Sequence, residues 1–117
     1  MILIVDDESY VGRLAEAVLK RRGFQVMSFL AGQKALEYVR LHPGEVTLAV
    51  VDFRLPDMSG LDLMTRLQDA DPQLRVIVSS GYFADDIFSE VYRDVAFLQK
   101  PYTAEGLTAA VAAALAA

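Results

Sequence analysis

Polar residues with distinct chemistry stand where short apolar runs end. Asp6 and Asp7 follow Ile2–Val5, Asp52 follows Leu48–Val51, Ser80 follows Arg75–Ser79, and Lys100 comes just after Val95–Leu98. Carboxylates, a hydroxyl and an ammonium suit a site that holds a hard cation and an anionic group together. If the three carboxylates converge, each pair ~5 Å apart repels by roughly 3 kcal/mol at an effective dielectric of ~20. Something cationic must compensate. An all-oxygen acidic cluster fits Mg²⁺, which keeps several waters and takes one or two carboxylates directly, and Lys100 neutralises part of the remainder. Taken singly, an Asp after a strand is commonly a turn former and a Lys before Pro commonly lies on the surface. The set has meaning only if the fold brings its members together.

The elements that must position them alternate between two periods. Strand candidates are Ile2–Val5, Gln25–Phe29, Leu48–Val51, Arg75–Ser79 and Val95–Leu98. Between the first two, Val11, Leu14, Ala15, Val18 and Leu19 follow helical spacing, with Gly23 placed to close the helix at its C′ position. Ala35, Leu36 and Val39 mark a second helix, stopped by Pro43-Gly44. Ser59 is a candidate N-cap for a third carrying Leu63, Met64 and Leu67, which Pro72 ends. Ile87, Phe88, Val91 and Tyr92 mark a fourth over 85–93, and Thr103 opens the fifth, with Leu107, Ala110, Val111 and Ala114. Five such alternations imply an α/β fold, a doubly wound five-stranded parallel sheet with right-handed crossovers and helices on both faces. In such sheets ligands bind outside the carboxyl ends of the strands, where the winding reverses. With strand order 2-1-3-4-5 the first and third strands are neighbours, and Asp6, Asp7 and Asp52 meet at that point.

Composition sets the bounds. A chain of 117 residues makes one domain with one core, and no apolar run approaches the ~20 residues of a membrane-spanning helix. There is no Cys, which excludes disulfides and thiolate metal sites. Met1–Val5 lacks the basic region and cleavage site of a signal peptide, so the expected location is cytoplasmic, with no membrane insertion. A net charge of −5 argues against direct nucleic acid binding. The basic run Lys20-Arg21-Arg22 reads as a solvated helix C-terminus, and His42, ahead of Pro43-Gly44, as a surface residue.

Four segments then resemble response-regulator receiver domains of two-component signalling, in order and near the family's spacing: Ile4-Val5-Asp6-Asp7-Glu8, Val51–Gly60, Ser80-Gly81 and Phe97-Leu98-Gln99-Lys100-Pro101. The resemblance covers nearly the whole chain, so residues 1–117 are read as a single receiver domain of flavodoxin-like (βα)5 fold, the order for which this family is a standard example. It implies that Asp52 is the phosphoacceptor, taking a phosphoryl group from a sensor histidine kinase or phosphotransfer protein in a phosphorelay. It also implies that Asp7, Asp52 and the backbone carbonyl of Arg54 ligate Mg²⁺, with Asp6 helping through water. Lys100 and Ser80 would meet the phosphoryl oxygens, Ser80 and Phe97 would form the switch, and the Lys100–Pro101 peptide would be cis. Such a protein is a stoichiometric phosphoacceptor that assists its own phosphorylation and dephosphorylation, not a turnover enzyme. A downstream output domain or protein would read the switch, and family members commonly read out or dimerise through the fourth and fifth elements, so a homodimer is among the expected partners.

Several residues depart from the family pattern. Gly81 would leave the site open to water or a partner, whereas Arg54 and Tyr82 are each placed in sequence where they would overhang the phosphoryl group and slow hydrolysis. Arg93-Asp94 replaces a usual Gly-Ala pair, and the Ser80-to-Lys100 spacing is short, which bears on the fourth helix. The combination looks most like receivers attached to hybrid sensor kinases. A haloacid-dehalogenase-type phosphatase would need an Asp where Arg54 stands, and a flavodoxin-like cofactor binder would not place Asp6-Asp7-Glu8 against a phosphate. The alternative kept is a degenerate receiver acting as an unphosphorylated docking module.

Overall fold

The computed structural model describes residues 1–81 and 95–117; the helix expected over 85–93 and Tyr82 lie outside the described residues. Five strands, β1 (Ile2–Val5), β2 (Val26–Phe29), β3 (Leu48–Asp52), β4 (Arg75–Ser80) and β5 (Ala96–Gln99), form one parallel sheet in the order β2-β1-β3-β4-β5. The described helices are α1 (Ser9–Arg21), α2 (Gly32–Leu41), α3 (Gly60–Ala70) and α4 (Ala104–Ala116).

Alternation along the strands divides the core in two. Leu3, Val5, Ala49, Val51, Val76 and Val78 join Leu36 and Val39 of α2 and Leu63 and Leu67 of α3 on one face. Ile2, Ile4, Leu48, Val50 and Ile77 join Ala15 and Leu19 of α1 and Leu107 and Val111 of α4 on the other. Both faces are therefore covered, which is why β1 and β3 are apolar without a polar stripe and are buried throughout. The edge strands β2 and β5 are only partly buried.

Local signals set the helix ends. Gly23 adopts φ +91°, and the amides of Gly23 and Phe24 donate to the carbonyls of Lys20 and Leu19, the paired bonds of a Schellman stop. Ser59 and Thr103 cap α3 and α4 by accepting from the amides of Asp62 and Gly106. The start of α2 has no such local cap: Asp57, from the loop after β3, accepts from the amides of Gly32 and Gln33 at 2.9 and 2.8 Å. No described helix is long and apolar enough to cross a membrane.

Differences from the expected boundaries fall at strand ends. β3 and β4 each run one residue further, through Asp52 and Ser80, and Asp52 pairs with Ser79. The polar groups thus sit on hydrogen-bonded strand rather than on free loop. The loop after β3 then folds back closely, since the Gly60 amide donates to the Phe53 carbonyl at 2.7 Å and a Cβ on Gly60 would stand 2.3 Å from the Asp52 carbonyl oxygen. Only glycine permits that approach. Ser59→Ala should lower the unfolding free energy by about 1 kcal/mol through loss of the cap, and Gly60→Ala by more; urea unfolding of the two variants measures the order, and an equal cost would contradict the close approach.

Candidate functional site

Adjacent strand ends bring Asp6, Asp52, Ser80 and Lys100 to one edge of the sheet. Asp6 and Asp52 are 3% and 8% exposed, and Ser80 is buried beside them. Lys100 is placed by its backbone, whose amide donates to the Ser80 carbonyl at 2.8 Å, and the Lys100–Pro101 peptide is cis. The Lys100 ammonium donates to Asp6 Oδ2 at 2.9 Å, Glu8 Oε1 at 3.0 Å and Asp52 Oδ2 at 3.3 Å. An ammonium has three N–H bonds, so three carboxylates use its full donor capacity.

The charge balance follows from these contacts. Burial and the Asp6 charge push the Asp52 carboxyl above the usual Asp value, against the opposing pull of Lys100. Burial works to lower the Lys100 pKa, but the hydrogen bonds it donates to Asp6 and Glu8 and the charges of Asp6 and Asp52 outweigh it and hold the ammonium above the ordinary lysine value. Tyr102, behind the cluster, is pushed up to about 12 by burial and by the negative charge of Asp6.

Among the described residues, Asp6, Glu8 and Asp52 form the carboxylate group whose oxygens lie within 4.8 Å of one another. Asp7 does not join it. The physical reason is a turn: Asp6 Oδ1 accepts from the Glu8 amide at 2.9 Å, which swings Glu8 back over Lys100 and leaves Asp7 exposed on the rim. Glu8 is the member that the sequence did not single out, and its spacing of two from Asp6 after a strand was the available signal. Asp7 still faces the site, because a cavity of about 320 Å³ is lined by Asp7, Glu8, Asp52, Arg54, Ser80 and Lys100 among others. Its carboxylates suit a hard divalent cation. Phe97 lies on β5 beside Val78, partly buried against the α2–α3 side of the core.

The model of the response regulator receiver domain matches residues 2–112. The chain belongs to that family. This receiver is 32% identical over 112 residues, 94% of its length, to the sensor kinase CckA of Brucella abortus (strain 2308), and spans 12% of that kinase. The crystal structure of the receiver domain from the hybrid histidine kinase CckA matches with a TM-score of 0.83 and 28% identity, covering 97% of each chain. The expected likeness to receivers of hybrid kinases is thereby met. A response regulator protein from Burkholderia pseudomallei, with a phosphorylated aspartic acid, calcium ion and citrate, matches with a TM-score of 0.77 and 29% identity, covering 93% of this receiver and 64% of that chain. Receiver domains are phosphorelay components of two-component systems and work with histidine kinases or phosphotransfer proteins; they bind a divalent metal at an acidic pocket and are not enzymes in the ordinary sense.

The raised Asp52 pKa has a signed consequence. Its folded value lies above the unfolded one, so holding the carboxylate ionised opposes folding at neutral pH, and this penalty fades as pH falls through that range. Asp52→Asn should therefore raise stability at pH 7, with the gain shrinking toward acid, whereas Lys100→Met should cost about 3 kcal/mol by stranding buried carboxylates. Urea unfolding between acid and neutral pH measures both; a destabilised Asp52→Asn protein at pH 7 would contradict the charge balance.

Proposed function

We propose that this receiver carries phosphoryl groups on Asp52 in a Mg²⁺-dependent phosphorelay. The reading is supported above all by the cavity in which the Asp52 carboxylate, the Lys100 ammonium and Ser80 line one wall. An Asp52 oxygen attacks the phosphorus of a phosphohistidine on a kinase or phosphotransfer protein. The P–O bond forms as the P–N bond breaks, and the imidazole nitrogen keeps the electron pair. Because the transition state of phosphoryl transfer is loose, the protein's task is positioning and neutralisation of charge.

Asp7, Asp52 and the Arg54 carbonyl would hold Mg²⁺ from the rim and floor of the cavity, with Asp6 behind them. The ion supplies positive charge that offsets repulsion between the carboxylates and an incoming phosphoryl group. Lys100 adds a second positive charge from the β5 side, and the Ser80 hydroxyl donates to a phosphoryl oxygen. Phosphorylation adds negative charge and strong acceptors, which draw Ser80 and Lys100 inward, and Phe97 follows Ser80 to carry the change to the surface read by the output partner.

Incubation with acetyl phosphate and Mg²⁺ should add the mass of one phosphoryl group. Chelation of the metal or Asp52→Asn should abolish the gain. No gain in the wild-type protein, with beryllofluoride also leaving its NMR spectrum unchanged, would instead mark an unphosphorylated docking module.

A further inference from the structure

Building on that reading of Asp52, we infer that Glu8 is a latch on Lys100: it occupies one ammonium N–H in the resting protein and is released when a phosphoryl group arrives. Lys100 has no spare donor, because Asp6, Glu8 and Asp52 each accept one bond. A phosphoryl oxygen can gain the ammonium only if a carboxylate gives it up. The phosphoryl group inherits the one N–H that Asp52 held, and the negative charge it adds beyond the carboxylate draws a second from a neighbouring acid. Asp6 is 3% exposed and its other oxygen is bonded to the Glu8 amide, so leaving it without the cation strands a buried charge. Glu8 is 63% exposed and returns to water at little cost.

The α1 helix does not hold Glu8 back. Glu8 is the N-cap residue, yet its side chain makes no cap hydrogen bond. Its release has a place to act. Glu8 and Lys100 line the phosphoacceptor cavity and also a second cavity of about 380 Å³, whose other walls include Tyr10, Leu14, Pro101 and Tyr102. The ion pair is thus the shared wall of the two spaces. Tyr10 and Leu14 are 72% and 52% exposed, so a freed Glu8 changes the charge at the mouth of an accessible apolar groove. Glu8 is a positioning residue, acting on the phosphoryl group only through Lys100.

Beryllofluoride binding to the whole chain in saturating Mg²⁺, followed by NMR, provides the test. Glu8→Gln should bind about two- to fivefold more tightly than wild type, the scale of an exposed ion pair. The Tyr10 ring signals of free Glu8→Gln should already lie close to those of the wild-type complex. Equal or weaker binding, or Tyr10 signals unmoved by the substitution, would overturn the latch while leaving the phosphoacceptor reading intact. Failure of the wild-type protein to bind at all would remove both.

Discussion

One ammonium shared among three carboxylates is the interaction on which this receiver depends. At contact distances of 2.9 to 3.3 Å, Lys100 offsets repulsion between Asp6 and Asp52 that the buried site would otherwise magnify. The sheet creates that repulsion, because pairing β1 with β3 sets the two acidic strand ends side by side. It also supplies the remedy, because pairing β4 with β5 continues into the Lys100 amide bond to Ser80 and anchors the lysine backbone opposite the acids. The site is therefore held in tension between a cation that neutralises it and the Asp52 carboxyl, which burial has pushed upward. Such a balance is costly for stability and suits the phosphoacceptor role proposed for Asp52.

The loop after β3 provides the stiffness this balance needs. The Phe53 amide donates to Ser79, Leu55 to Met58, and Gly60 to Phe53, so Asp52 is braced from both sides. The same loop reaches α2 through Asp57, whose carboxyl the two helix amides hold below the usual range despite the opposing effect of burial. Met58 packs against Gly32 so tightly that a Cβ there would lie 2.8 Å from its sulfur. The start of α2 is thus tied, through Asp57 and Met58, to the loop that follows Asp52.

Much of this was legible in the sequence for physical reasons that can be named. Uninterrupted apolar runs over Ile2–Val5 and Leu48–Val51 announce strands buried on both faces, and Ser59, Thr103 and Gly23 mark helix ends by local chemistry. The strand-end position of Asp6, Asp52 and Lys100 then follows from topology. What escaped depends on geometry between separated or turning segments. Glu8 enters the cluster only because the Asp6 side chain closes a turn, which also moves Asp7 to the rim. Asp57 caps a helix whose first residue lies 25 positions earlier, a tertiary contact without a local signature.

The central claim concerns what Lys100 binds before and after Asp52 is modified. A high-resolution crystal structure of the Mg²⁺–beryllofluoride complex addresses it directly. The account predicts beryllium on an Asp52 carboxylate oxygen, fluorines contacted by Lys100 and Ser80, and the Glu8 carboxylate withdrawn into solvent. Beryllofluoride bound elsewhere, or Lys100 still paired with Glu8 and not with fluorine, would contradict it.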